Sequence, residues 1–240
     1  MSDGQPLPVN KLREKLLEPA TDIRYLLSKG YVRKSAITFV SNHYRLTEHE
    51  RHVLARLVLS SETAERRSKK KLSCSRLEGC DVLVDGYNVI ITIESALKNE
   101  PVWSADDGFL RDTSGIFGNH RITDTTFLAI DEMLATLSAL KLKSATILLD
   151  SQMSNSGKLA QYIREKAKSN NFKANSRTSK HVDFDLKEAG ADSVIATADG
   201  IIIDAVEKVV DVTECWMMQS GKIDETFSLN SHGKRTKEKN

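Results

Sequence analysis

The sequence predicts an α/β protein in which helices cover both faces of a parallel sheet, with a small all-helical domain in front of it. Three observations support this fold class. Beyond about residue 80, short apolar segments without polar alternation recur, which is typical of strands buried on both faces. Helical patterns separate these segments, as parallel strands require. Before them, apolar residues recur at three- and four-residue steps, the period of amphipathic helices.

Composition is that of an ordinary globular protein. The 240 residues are 40% hydrophobic and 28% charged, with a formal net charge of +2. No apolar run approaches the roughly 20 residues that a membrane helix needs. The first residues lack the apolar core of a secretory signal, so we expect no membrane partner and a cytoplasmic location. Cys74, Cys80 and Cys215 show no C-x-x-C spacing, which predicts no disulfide and no zinc ribbon.

The helical domain is predicted over residues 1–64. Leucine and isoleucine residues between 12 and 27 indicate a first helix that ends at Gly30, and a second amphipathic segment covers 35–44. Thr47 and Glu50 fit a capping box that opens a third helix. The arginines of this region are compatible with a helix-turn-helix nucleic-acid reader. A packing bundle whose arginines are only solvated is the simpler interpretation.

A basic stretch follows, and we interpret residues 65–79 as a linker or helix end that divides the chain. Its positive side chains are predicted to hold a nucleic-acid backbone, because clustered Lys and Arg release counterions from phosphates. The alternative is a solvated connector that binds nothing. The residues assigned to this basic strip are Arg66, Arg67, Lys69, Lys70 and Lys71. The tail 231–240 is also basic and is predicted to be disordered.

The α/β domain is predicted over residues 80–230. Strands are predicted at 80–84, 145–149, 172–175, 193–197 and 209–212, and helices at 89–97, 124–140, 157–168 and 199–207. The insertion 102–121 contains Asp106, Asp107 and Gly108, a sequence typical of a tight hairpin turn. Two alternatives stay open for this insertion: it forms only a hairpin, or it folds over the sheet edge and supplies Asp107, Arg111 or Asp112.

Three predicted strands end at or next to an aspartate, namely Asp85, Asp150 and Asp199. Because open parallel sheets bind ligands at the carboxyl ends of their strands, we expect these carboxylates to converge. Converging carboxylates stay ionised together only if a divalent cation neutralises them, and donor sets made of oxygen favour Mg²⁺ or Mn²⁺ over zinc. Such an ion activates water and holds a scissile phosphate. The alternative for each aspartate is a helix or loop cap.

The segment VDGYNVI at residues 84–90 resembles the opening strand of the PIN-like nucleases, in particular the NYN branch. The resemblance extends over roughly residues 81–212, in the right order. It implies a Rossmann-like, PIN-type sheet and hydrolysis of RNA in the presence of Mg²⁺ or Mn²⁺. RNA is then the expected partner, and Asp85, Asp150 and Asp199 are the expected metal ligands.

The same resemblance implies roles for further residues. Asn88 shares the turn of Asp85, where it is either a turn former or a donor that fixes Asp85. Thr197 begins the counterpart of the family's T-S-D triplet, with Ala198 in place of Ser. A further catalytic acid is assigned to Asp183, while Asp185 and Asp192 stay open as alternatives. Asp112 is assigned as a supporting residue from the insertion. The whole chain also resembles an uncharacterised archaeal family that joins such a domain to a helical module.

Other functions remain compatible with the sequence. PIN-like domains that lose an acid persist as nucleic-acid-binding or scaffold modules, and the uncertain position of the further acid keeps this alternative open. A phosphatase of the haloacid type shares the topology, yet it needs an Asp two residues after its nucleophile, where this chain has Tyr87. The natural RNA, endo- or exonucleolytic cleavage and the oligomeric state are not determined by these patterns.

Overall fold

The computed structural model describes residues 7–113, 121–189 and 193–230. The helices are α1 Val9–Ser28, α2 Arg33–His43, α3 Glu48–Leu57, α4 Ser61–Lys70, α5 Gly86–Leu97, α6 Asp124–Ala139, α7 Ser156–Ser169, α8 Val182–Lys187, α9 Gly200–Ala205 and α10 Val212–Gln219. The strands are β1 Asp81–Asp85, β2 Val102–Ser104, β3 Leu110–Asp112, β4 Ser144–Asp150, β5 Ala174–Ser179, β6 Val194–Ala196, β7 Val209–Val210 and β8 Phe227–Ser228. The predicted tail 231–240, residues 114–120 of the insertion and Asp192 lie outside the described residues.

The main sheet confirms the predicted fold class. Its five strands are parallel and stand in the order β5-β4-β1-β6-β7. The chain moves outward from β1 to β4 and β5 on one side, and then returns to add β6 and β7 on the other. The strand order therefore reverses between β1 and β6, and open α/β sheets bind ligands at such a reversal.

Alternate residues of the central strands face two apolar layers. Val82 and Val84 belong to the larger core, which also contains side chains of α5, α6, α7 and α10. Leu83 and Leu148 contact a second cluster with side chains of α8 and α9. Because both faces of the sheet are covered at its centre, β1, β4 and β6 are mostly apolar, as the sequence pattern indicated, whereas the edge strand β5 is mostly polar.

Helices α1 to α3 form the predicted bundle, and its core continues into the α/β region. Trp103, Ala105 and Leu229 are buried in the same cluster as the leucines of the bundle. Trp103 lies in a second, three-stranded sheet of order β3-β2-β8, in which β2 and β3 form the predicted hairpin. Strand β8 joins it from 123 residues further along the chain, at the Phe227 partner of Trp103, and was not predicted.

The predicted linker 65–79 is largely ordered secondary structure. Residues 65–70 belong to α4, whose N-cap Ser60 accepts a hydrogen bond from the Thr63 amide. No residue of α4 is buried, so no apolar period marks this helix in the sequence. After it, the Leu72 amide donates to the Val209 carbonyl at 2.7 Å, which attaches the chain to the edge of β7. Whether this stretch divides the chain into two domains stays a prediction.

Two further expectations were wrong. Cys74 and Cys215 form a disulfide with a Cα–Cα distance of 5.7 Å across a separation of 141 residues, a pairing that no local spacing could indicate. The last part of the predicted strand 209–212 instead opens α10, because the Asp211 side chain caps this helix by accepting from the Glu214 amide. None of the helices in the described ranges is long and apolar enough to span a membrane.

Candidate active site

The candidate site lies where β1 ends and α5 begins, beside the reversal in strand order. Asp85 is the last residue of β1, and Gly86 starts the helix without an intervening loop. A Cβ atom at Gly86 would lie 2.6 Å from Leu149 Cδ2 and 2.7 Å from the Leu148 carbonyl oxygen. Only glycine therefore lets α5 start this close to β4, and this close approach sets the position of Asp85.

A hydroxyl group links Asp85 to the segment that follows β6. Thr197 Oγ1 donates to Asp85 Oδ2 at 2.9 Å and accepts from the Asp199 amide at 3.1 Å. Two residues predicted from different parts of the chain, Asp85 and Asp199, are thus connected through Thr197. The carboxyl ends of β1 and β6 bring them together.

Asn88 supports the same segment in a way that differs from the prediction. We expected a turn former or a side chain that donates to Asp85. Its Oδ1 instead accepts from the Ala198 amide at 2.8 Å, while the backbone amide of Asn88 hydrogen-bonds to Asp85. The side chain of Asn88 therefore holds the segment after β6 against the start of α5.

Negative charge accumulates at this site. Burial, together with the charges of Asp199 and Asp183, raises the pKa of Asp85 to about 6, against the lowering effect of the Thr197 hydrogen bond. Within residues 7–113, 121–189 and 193–230, none of these three carboxylates takes part in an ion pair. The protein therefore leaves the charge of Asp85 without a cationic partner in the part of the chain that the structure describes.

Asp199 also fills the alternative role that the sequence left open. Its Oδ1 accepts from the amides of Ile201 at 2.7 Å and Ile202 at 3.3 Å, so it caps α9.

Among the candidates for the further acid, Asp185 pairs with Arg177 at 3.0 Å. Asp183 is exposed in the first turn of α8, and its charge acts on Asp85.

Asp150 lies beyond the position of Asp85 along the edge of the sheet. In the register of β1 and β4, Asp85 is opposite Leu148, so Asp150 is two residues beyond it, about 7 Å along the strand. Its Oδ1 accepts from the Gln152 amide at 2.7 Å, which is the loop cap that the sequence left as an alternative. Its charge also acts on Tyr87, whose pKa is raised mainly by burial and then by Asp150.

The predicted set of three metal-binding aspartates is not assembled. Among the residues that the structure describes, no group of three or more His, Cys, Asp or Glu side chains is arranged to hold a metal ion. Asp85 and Asp199 share Thr197, with Asp183 near enough to affect Asp85, whereas Asp150 caps its own loop. Two of the three aspartates at the strand ends, Asp85 and Asp199, therefore lie close together. The third does not join them, because a strand-end pattern does not specify how far each strand extends beyond its neighbour.

The described part of the insertion supports the segment that follows β6. Arg111 forms two hydrogen bonds of 2.8 Å with Asp107, and its Nε donates to the Ala198 carbonyl at 2.9 Å. Asp112, assigned as a supporting residue, is buried elsewhere: Thr92 donates to it at 3.3 Å and Arg56 lies 3.7 Å away. Arg111 thus positions the segment of Thr197 and Asp199, while Asp112 joins α5 to the helical bundle.

The side chains of the basic strip contact acidic groups and main-chain carbonyls of the protein itself. Arg66 and Arg67 pair with Asp204 of α9, and Lys71 pairs with Glu214 of α10. The remaining contacts of the strip are Lys70 with the carbonyls of Ile203 and Asp204, Lys69 with Glu65, and Arg67 with Asp107. The nucleic-acid role of this strip stays a prediction. The sequence pattern could not reveal these contacts, because the acceptors on α9 and α10 lie more than 130 residues away.

Two family models match separate segments of the chain. Residues 74–215 match the family model described as "Domain of unknown function (DUF5616)", and residues 15–70 match "Protein of unknown function (DUF434)". A curated relative from Methanocaldococcus jannaschii, described as an uncharacterized protein, is 33% identical over 193 residues, which cover 80% of this chain and 91% of the relative. No solved structure matches the chain. The candidate site lies within the segment 74–215.

Proposed function

This chain belongs to the family described as "Domain of unknown function (DUF5616)", and we propose that it is a PIN-like ribonuclease that depends on a divalent metal ion. The observation that carries the proposal is the Asp85 carboxylate. It lies at the reversal of a parallel sheet, its pKa is raised to about 6, and two further aspartates act on it. A buried carboxylate without a cationic partner is unfavourable unless a ligand neutralises it.

The donor chemistry of the crevice fits a hard cation. Asp85 and Asp199 supply carboxylate oxygens, and Asp183 adds negative charge nearby. Mg²⁺ is commonly held by one or two carboxylates, with waters and substrate phosphates as its other ligands, so a pair of acids is a sufficient protein contribution. An ion at this position would polarise a phosphoryl oxygen and lower the pKa of a bound water.

The residues of the chain itself orient this acidic pair. The Thr197 hydroxyl fixes the orientation of Asp85, and Asn88 and Arg111 hold the two sides of Ala198. Because the Asp85 pKa is about 6, its carboxylate is mostly protonated at pH 5 and ionised at pH 8. Cation binding and cleavage should therefore both rise through pH 6 as the proton leaves Asp85.

The direct test is cleavage of labelled single-stranded and structured RNA in millimolar Mn²⁺. We expect Asp85→Asn to reduce the rate about a hundredfold or more, because the metal would lose a charged ligand. The matched control is Asp81→Asn, which changes the other end of the same strand, where Asp81 pairs with Lys143 at 2.6 Å. Equal cleavage by the wild-type protein and Asp85→Asn would end the proposal.

A second candidate is a PIN-like module that binds nucleic acid without cleaving it. It is favoured by the observation that the described residues hold no group of three metal-binding side chains. The discriminating measurement is the melting temperature with and without millimolar Mn²⁺, since a ligand of the native state must raise it. A rise that Asp85→Asn abolishes supports the nuclease, whereas no change, together with no cleavage, supports the module.

A further inference from the structure

The helical bundle contains a long stretch of sequence without acidic residues. Between Asp22 and Glu48 there is no Asp or Glu, whereas the same stretch contains Arg24, Lys29, Arg33, Lys34 and Arg45. It covers the end of α1, all of α2 and the turns on either side of α2. A surface formed by this stretch therefore attracts anions.

Three of these five cations are available at the surface. Arg24 pairs with Asp106, and Arg33 donates to main-chain carbonyls of α3 and its C-cap. Lys29, Lys34 and Arg45 are exposed, and within the described ranges none of them forms an ion pair. Lys29 ends α1, while Lys34 and Arg45 stand near the two ends of α2, so positive charge flanks this helix.

Large aromatic side chains are exposed between these charges. Tyr25 is 61% exposed and Phe39 is 67% exposed, and both line one shallow groove between α1 and α2. The Lys29 ammonium lies 5.4 Å from the centre of the Tyr25 ring. Asp22 also lines the groove, where it accepts a hydrogen bond from the Tyr44 hydroxyl at 2.8 Å, so the groove contains one acidic side chain.

We propose that this α1–α2 face, defined by Tyr25, Phe39 and Lys29, binds single-stranded RNA. Bases would stack on the two exposed rings, and Lys29 would contact a flanking phosphate. The combination of aromatic platforms and unpaired cations is how proteins hold single strands without reading their sequence. An apolar protein partner would account for the exposed rings, but not for Lys29, which lies beside the Tyr25 ring and forms no ion pair within the described residues. The choice of RNA over DNA rests on the proposed function.

The test measures binding without cleavage. A fluorescently labelled 12-nucleotide oligouridylate is titrated with the full chain in EDTA, and affinity is read from anisotropy at several salt concentrations. We expect Tyr25→Ala and Phe39→Ala each to weaken binding about tenfold, because each removes one stacked base. Leu128→Ala is the matched control, since Leu128 is 48% exposed on α6, and its affinity should equal that of the wild type.

The charge contribution has its own matched pair. Lys29→Gln should lower the slope of log affinity against log salt by about 0.7, the value for one phosphate contact on a single strand. Lys69→Gln should leave the slope unchanged, because Lys69 of the basic strip is paired with Glu65. An effect of Lys69→Gln equal to that of Lys29→Gln would contradict the assignment of this face.

Three outcomes would overturn the proposal: no RNA binding, equal affinities of Phe39→Ala and Leu128→Ala, or binding to phosphatidylserine vesicles but not to RNA. The experiments distinguish failure of this RNA-binding proposal from failure of the proposed nuclease function. Loss of cleavage in Asp85→Asn with RNA affinity unchanged concerns only the site at β1. Loss of RNA affinity in Tyr25→Ala, with cleavage of short RNA unchanged, concerns only the α1–α2 face.

Discussion

Asp85 illustrates at the level of one residue how a candidate site lowers stability. Its pKa is raised from 3.8 to about 6 by burial and by neighbouring acids, so the folded state holds this proton more tightly than the unfolded state does. The unfolding free energy therefore falls as the pH rises from about 4 to 6 and stays lower above that range. A group with this sign of shift is typical of functional sites.

We predict that Asp85→Asn stabilises the protein at pH 8 by about 1–2 kcal/mol, a value below the full shift because the carboxylate is partly accessible. Asn removes the buried charge and can still accept the Thr197 hydroxyl. Urea unfolding without metal should show this difference at pH 8 and nearly none at pH 4. Asp81→Asn should behave oppositely, because Lys143 lowers the pKa of Asp81. A difference between wild type and Asp85→Asn that is the same at both pH values would contradict the mechanism.

A missing methyl group controls the approach of α5 to the sheet. We predict that Gly86→Ala destabilises the protein by about 1–3 kcal/mol, because its Cβ would lie 2.7 Å from the Leu148 carbonyl oxygen, which belongs to a paired strand. Gly157→Ala in α7 meets nothing within 4 Å and should instead stabilise by up to about 1 kcal/mol. Thermal unfolding of both variants tests this pair, and equal effects would refute it.

At the level of elements, buried ion pairs join the insertion to the segment that carries Asp199. Asp107 is buried and binds Arg111, which in turn donates to the Ala198 carbonyl. Arg67 of α4 reaches the same carboxylate at 3.3 Å. These contacts lower the pKa of Asp107 against the effect of its burial. The hairpin between β2 and β3 therefore supports the segment that follows β6, whereas the sequence left open whether the insertion is more than a hairpin.

We predict that Asp107→Asn costs about 3–5 kcal/mol, because it leaves the buried Arg111 without a charged partner. Glu65→Gln, which breaks the exposed pair with Lys69, should leave stability nearly unchanged, because solvent screens such a pair. Urea denaturation at pH 7 measures both. If Asp107→Asn were as mild as Glu65→Gln, the Asp107–Arg111 pair would not support the segment that follows β6.

At the level of the whole molecule, the disulfide joins the entry of the α/β region to its last long helix. Cys74 lies in the turn before β1 and Cys215 lies in α10, at a sequence separation of 141 residues. A cross-link over such a long loop restricts the unfolded chain strongly. Cys80 remains a free thiol and provides an internal control.

We predict that reduction of the disulfide, or Cys215→Ser, lowers the unfolding free energy by up to about 5 kcal/mol, the loop-entropy limit for this separation. Cys80→Ser should leave the unfolding free energy nearly unchanged, and dithiothreitol should still lower the unfolding free energy of this variant. Urea unfolding with and without the reductant makes the comparison. Insensitivity of the wild-type protein to dithiothreitol would mean that the bond adds nothing to stability.

The sequence by itself determined the fold class and the local features, because these depend on neighbouring residues. Apolar strands separated by helices predicted the parallel sheet, and the capping box of Thr47 and Glu50 forms as predicted, with bonds of 2.9 and 3.3 Å. The strand ends also identified Asp85 and Asp199, since the carboxyl ends of neighbouring parallel strands meet at one edge.

Only the tertiary structure decided which distant groups meet. The acceptors of Lys70, the partner of Cys74 and the strand that pairs with Trp103 all lie more than 120 residues away in the chain. No spacing rule relates such positions, because packing of apolar surfaces places them side by side. The same packing gives Arg66, Arg67 and Lys70 of α4 acceptors on α9. Lys29, Lys34 and Arg45 near α2 form no ion pair within the described residues, a distinction that charge density alone does not contain.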